Sequence, residues 1–286
     1  MAEIAKLRRA FHKSLLETGV LSLSDKGVVS NADSSSNPSK RLSLNIFEQI
    51  SSITGKVSQK LAGQTAGAGF EFLCAQFLEE SFSFLGHLRP GDWVVGKDGV
   101  QGGIGVAYFE QFEHLAKLEA LAKSDPELKA VLGSDYLIKP DVLVARRPIS
   151  DAEINARRKL VGEDGLVAHT PLRVSNNSNL ILHATVSCKW TMRSDRAQNA
   201  RTEALNLMKN RKGRVPHIVV ITGEPTPGRI ASLAYGTGEI DCVYHFALPE
   251  LIEAVRIDTS DDEALNAMIE GKRLRDISDL PFDLTI

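Results

Sequence analysis

Apolar residues recur every three or four positions from Ile4 to Thr18, which gathers them on one side of a helix that Gly19 stops. The same period predicts helices over Leu44–Leu61, Phe70–Leu85, Val106–Lys123, Pro126–Leu132, Ile149–Leu160, 195–210, Pro249–Val255 and Asp261–Lys272, with a short one after the Pro-rich turn Glu224–Gly228. Strands are expected at Asp92–Val95, Tyr136–Ala145, Leu180–Trp190, His217–Thr222 and Ile240–Phe246, where β-branched and aromatic residues concentrate. Residues 22–43 carry Ser, Asn, Asp and Lys without an apolar period, and read as a polar loop or arm. Interleaved helices and strands predict an α/β fold: a central mixed β-sheet flanked by helices, with residues 1–286 as a single domain.

Composition narrows the class. Apolar residues make up 43% and charged residues 24% of the 286, ordinary for a globular chain with a sizeable core. No apolar run approaches the ~20 residues of a membrane span, and no signal-peptide core follows the charged N-terminus. Cys74, Cys188 and Cys242 are odd in number and far apart, which argues against a disulfide framework or zinc knuckle and suits a reducing cytoplasm. The net charge of −2 hides a local excess: Lys189 to Arg214 holds eight basic residues against Asp195 and Glu203. Such a patch could contact several phosphates, or could be the solvated face of a helix. Gly102-Gly103-Ile104-Gly105 lacks the full pattern of a nucleotide-binding loop and leads into no βαβ unit.

The chemistry centres on Ser187 to Glu203. Side chains alternate along a strand, so Thr185, Ser187 and Lys189 share one face while Val186, Cys188 and Trp190 share the other. Cys188 therefore points away from Lys189 and reads as packing rather than as a nucleophile. Asp141 follows Pro140 on another strand, and a proline-aspartate on one strand with a lysine on the next outlines a PD-(D/E)XK nuclease. That pattern puts an acid two residues before the lysine, where this chain has Ser187. Glu203, about two turns into the following helix, is the candidate for the missing carboxylate, and Glu71 is a further one. Carboxylates ~4 Å apart repel by roughly 4 kcal/mol at an effective dielectric of ~20, so the cluster needs a cation. Oxygen ligands and a phosphate substrate point to Mg²⁺.

Ser187-Cys188-Lys189, Arg193-Ser194-Asp195-Arg196 and Glu203 together resemble the CCGG family of type II restriction endonucleases. Supporting segments include Gly27 to Asp33, Gly63-Gln64-Thr65, Arg89 to Trp93, Gly133 to Tyr136, Asn210 to Arg214, Glu224 to Pro227 and Gly236 to Leu248. The similarity runs through nearly the whole chain and is densest between His183 and Leu248. It implies a restriction-endonuclease-like fold and Mg²⁺-dependent cleavage of double-stranded DNA at the palindrome GCCGGC, after the first G, leaving 5′-phosphates. It also implies catalytic roles for Asp141, Lys189 and Glu203, with Glu71 and Ser187 in the site. Metal ligands would be Asp141, Glu203 and the Cys188 backbone carbonyl.

Base reading, by the same resemblance, falls to Arg193, Asp195 and Arg196 for the inner CCGG and to Gln64 for the outer pair, with Ser35 and Arg229 in the minor groove. Arginine donors match the O6/N7 edge of guanine, and a carboxylate accepts from the cytosine amine. Asp195 also reads as a helix N-cap with Gln198 as its capping-box partner. A palindrome demands a two-fold dimer. The family adds a homotetramer of two dimers and a companion DNA methyltransferase. A nuclease of lower specificity, or a non-catalytic DNA-binding protein, are the alternatives. The Arg193-Asp195-Arg196 cluster argues against the first, and the presence of Asp141, Lys189 and Glu203 together argues against the second.

Overall fold

A sheet of six strands in sequential order, β1-β2-β3-β4-β5-β6, carries the site. The structure, a computed structural model, describes residues 1–54, 63–97, 105–125, 127, 130, 138–192, 194–236, 238–258 and 262–286, without the side chains of 63–64 and 194–196. The expected helix at Pro126–Leu132, the Gly102–Gly105 loop, Arg193, and the side chains of Gln64, Asp195 and Arg196 thus lie wholly or mainly outside the described residues.

The strands are β1 (Trp93–Lys97), β2 (Val142–Arg146), β3 (Ile181–Lys189), β4 (His217–Thr222), β5 (Cys242–His245) and β6 (Leu274–Asp276). β1, β2 and β3 pair antiparallel, whereas β3 to β6 pair parallel. Parallel neighbours need a crossover between them. Here helices supply it: α6 (Ser194–Asn210) between β3 and β4, α7 (Pro227–Ala234) between β4 and β5, and α8 (Leu248–Asp258) with α9 (Asp262–Glu270) before β6. The remaining helices are α1 (Glu3–Glu17), α2 (Asn37–Thr54), α3 (Gly63–Ser83), α4 (Glu113–Ser124), α5 (Asp151–Ile154) and α10 (Leu280–Asp283). This is the α/β mixed sheet with flanking helices that the pattern predicts.

The central strands are apolar on both faces because both are covered. In β4, Ile218 through Ile221 are all buried, and β3 is buried from Leu182 to Val186. Ala197, Ala200, Ala204 and Leu207, spaced three and four apart, are the buried positions of α6. On the other face, α3 buries Phe70, Leu73, Cys74, Phe77 and Leu78, and Phe70 packs its ring 4.8 Å from Trp190. Among the described residues no helix is long and apolar enough to cross a membrane.

Three expectations are corrected, and one strand is added. The helix expected over Val106–Lys123 begins only at Glu113, after two 3₁₀ turns. Gln111 there clamps the main chain of Leu182, donating to its carbonyl (2.7 Å) and accepting from its N–H (2.9 Å), so docking on β3 overrides the helical period. The helix at Ile149–Leu160 shrinks to the single turn α5, because the Asn155 side chain accepts from the N–H groups of Leu160 and Val161 and turns the chain away. α2 starts at Asn37 rather than Leu44, with Pro38 suited to a first helical turn that needs no N–H there. β6, three residues long, is recognisable only through its pairing with β5.

Candidate active site

The register of the sheet builds the site. Val142 pairs with Val186, so Asp141, one residue ahead of β2 and at the end of the Pro140 approach, comes beside Ser187 at the end of β3. Its Oδ2 accepts the Cys188 N–H at 2.7 Å and lies 3.5 Å from both Lys189 Nζ and Ser187 Oγ. The Lys189–Asp141 pair is partly sheltered, with side chains 16% and 23% exposed. The Cys188 peptide therefore meets Asp141 through its N–H.

Glu203 reaches the same place from above. Between α6 and the sheet lies a cavity of about 20 Å³, lined by Pro140, Thr185, Ser187 and Glu203 among others, little more than the space of one water. Burial pushes the Glu203 carboxyl above its ordinary range; Lys189 pulls it down and the charge of Asp141 pushes it up again. Two carboxylates close enough to repel, with hard oxygen donors, suit a small divalent cation. Among the described residues no group of three or more His, Cys, Asp or Glu side chains is arranged to hold a metal unaided. A two-carboxylate arrangement completed by phosphate and waters is how Mg²⁺ is commonly bound.

The other face of β3 is dry. Cys188 is buried there, its thiol near enough to that of Cys74 on α3 to influence it. Burial first, then Cys188, Asp141 and Glu71, push the Cys74 thiol well up. Glu71, one turn before Cys74, is thus a third carboxylate felt at this end of the sheet. Cys74, Cys188 and Cys242 are all free and buried.

The candidate DNA contacts are brought together only in part. Arg229 pairs with Asp33, and the other oxygen of Asp33 accepts from the Ser35 N–H (3.0 Å) and hydroxyl (2.7 Å). The Arg229 contact, helped by Ser35, holds the Asp33 carboxyl well below the carboxylate range. The basic run also divides. Arg201 is turned inward onto Glu239 (2.6 Å) and the carbonyls of Ser232 and Tyr235, and Arg211 onto the Met208 carbonyl. Those two cations are spent on the fold. Asp33 and Glu224 carry no site motif of their own in the sequence, because the partners that give them a role are remote in the chain.

Comparison with known proteins agrees with the geometry. A family model described as NgoMIV restriction enzyme matches residues 11–286. The chain is 51% identical over 282 residues to the type II restriction enzyme NgoMIV of Neisseria gonorrhoeae, spanning 98% of this chain and 97% of that one. The crystal structure of type IIF restriction endonuclease Bse634I with cognate DNA aligns with 87% of this chain and 91% of that one, at TM-score 0.40 and 16% identity. That last likeness is too loose to bear on the site. The chain belongs to the NgoMIV restriction enzyme family and is a type II restriction endonuclease.

Proposed function

We propose that the protein hydrolyses double-stranded DNA at GCCGGC, after the first G, in a Mg²⁺-dependent reaction that leaves 5′-phosphate ends. The observation that carries this reading is the convergence of Asp141, Lys189 and Glu203 at one end of β3 and α6, from three separate segments of the chain. The sequence preference is what the resemblance to the CCGG family implies. The whole chain acts as a single endonuclease domain, in the cytoplasm, as a homodimer that doubles to a homotetramer, and alongside a companion DNA methyltransferase that protects the host's own sites.

Asp141 and Glu203 would hold the metal, with the Cys188 carbonyl as a further ligand and Glu71 nearby. Bound there, Mg²⁺ supplies Lewis acidity to the scissile phosphate and lowers the pKa of a water. Lys189, anchored by Asp141, orients the attacking water and offsets charge that develops on the phosphate. Ser187 takes the place of the usual second acid. A neutral hydroxyl cannot do a carboxylate's work, and the carboxylate comes instead from α6. Arg193, Asp195 and Arg196 read the inner bases and Gln64 the outer pair, with Ser35 and Arg229 in the minor groove.

Incubation with Mg²⁺ and plasmids that carry or lack GCCGGC tests the reading. Defined bands from site-bearing plasmid alone are expected; smearing, or no cutting, would sink it. Lys189→Ala is expected to abolish cleavage while specific binding survives, and Asp195→Ala to lose specific binding.

A further inference from the structure

Beyond Lys189 the chain passes through Trp190, Thr191 and Met192 before reaching the base-reading segment. The loop that leaves β4, Thr222 to Thr226, runs beside it and holds it at successive points. The Lys189 carbonyl accepts from the Gly223 N–H (2.9 Å) and from the Thr222 hydroxyl (3.0 Å). A side chain at position 223 would collide with the Trp190 carbonyl at 2.8 Å, so only glycine allows the two loops this close. The next hold is Glu224. Its Oε2 accepts the Met192 N–H at 2.9 Å, and its Oε1 accepts the Thr226 N–H at 3.2 Å.

Glu224 is 1% exposed, and its nearest cation, Arg229 Nη1, stands 3.9 Å away. A buried carboxylate with one distant counter-charge is a costly group to keep for a turn that neutral side chains can also cap. What distinguishes it is where its contacts lead. Met192 is the residue immediately before Arg193. Arg229 reaches the Met192 carbonyl at 3.5 Å and also pairs with Asp33, which holds Ser35. On the same loop, the Gly223 carbonyl accepts from Asn31 (2.7 Å), which accepts in turn from Ser43 on α2. The β4 exit thus touches both the peptide entering the major-groove reader and the arm that carries Ser35, one of the two minor-groove candidates.

We propose that Glu224 is a positioning residue for sequence reading: it fixes the Met192 peptide ahead of Arg193 and, through Arg229 and Asp33, ties that peptide to the 30–36 arm. The proposal rests on the assignment of base reading to Arg193, Asp195, Arg196 and Arg229. Lys189 is held by the neighbouring Thr222 and Gly223, so cutting and reading segments share one support but different contacts. Loss of Glu224 then degrades discrimination more than the chemical step.

Glu224→Gln tests this. Glutamine fills the same volume but has one acceptor oxygen, so it cannot serve both the Met192 and Thr226 N–H groups, and it removes the charge facing Arg229. Equilibrium binding is measured on a GCCGGC duplex and on the same duplex with one base pair changed, with Ca²⁺ in place of Mg²⁺. Single-turnover cleavage at saturating enzyme and the melting temperature are measured beside it. Discrimination is expected to fall roughly tenfold to a hundredfold, the range for losing a hydrogen bond to a charged group. The saturating cleavage rate should fall less, and Asp33→Asn combined with Glu224→Gln should be no worse than the poorer single variant. Wild-type protein that fails to discriminate would overturn the base-reading assignment itself. Wild-type discrimination retained in Glu224→Gln, equal weakening of both duplexes in step with lost melting temperature, or fully additive losses with Asp33→Asn would overturn the role of Glu224 alone.

Discussion

Replacing Asp141 with asparagine removes a charge and almost no volume, and the consequences follow group by group. The 2.7 Å bond from the Cys188 N–H survives as a neutral contact, at a loss of about 1 kcal/mol. The Lys189 ammonium loses a partner 3.5 Å away. At that separation and an effective dielectric of ~20 the attraction is about 5 kcal/mol, most of it offset by the desolvation that both groups have already undergone. In the other direction, removing the charge relieves Glu203, whose carboxyl Asp141 pushes up. The net loss of folding stability is about 1–3 kcal/mol, a fall in melting temperature of at most roughly 10 °C. The loss in cleavage is expected to be far larger, about a thousandfold or more, since one of the two proposed carboxylate ligands is gone. DNA binding without metal holds or improves, because one negative charge fewer faces the phosphates. Single-turnover cleavage of a duplex with one GCCGGC site, across a Mg²⁺ titration, measures the first effect, and gel shift the second. A well-folded Asp141→Asn protein that cuts within tenfold of wild type at any Mg²⁺ concentration would refute the reasoning.

Three further outcomes are expected. Because the Glu203 carboxyl is raised and must lose its proton to bind metal, the acid limb of cleavage should lie above the ordinary glutamate range and move down as Mg²⁺ increases, since proton and metal compete; a limb indifferent to Mg²⁺ counts against Glu203 as a ligand. Arg8 makes two bidentate pairs, with Glu250 and Asp276, whose side chains are 10% and 9% exposed, so Arg8→Met should cost about 3–5 kcal/mol in chemical denaturation, and a loss under ~1 kcal/mol would contradict the pairing. His183 is buried with its pKa lowered to about 4, so it contributes full stability above its unfolded value and loses it as pH falls from there through 4, on the order of 3 kcal/mol in all. His183→Gln should flatten stability against pH between ~6.5 and ~4; curves parallel to wild type would exclude this.

The sequence by itself determined the parts that depend on local pattern. Alternation along Ile181–Lys189 put Lys189 and Ser187 on one face and Cys188 on the other, and the three-and-four spacing of Ala197, Ala200, Ala204 and Leu207 marked α6. Ser187 stands where the nuclease pattern has an acid, and Glu203 offers a carboxylate within the next helix. Only the tertiary structure decided what depends on partners far away in the chain. Gln111 breaks a helical period to clamp Leu182, 71 residues on, and β6 exists only as an edge for β5. Arg201 and Arg211, indistinguishable in sequence from DNA-contacting cations, are consumed by backbone carbonyls and Glu239. Glu224 and Asp33 carry no motif of their own; they acquire meaning from Met192 and Arg229, 32 and 196 residues away. Periodicity reports which face a residue takes, because that is set by backbone geometry within a few residues. It cannot report which charge that face will meet, because packing sets that across the whole chain.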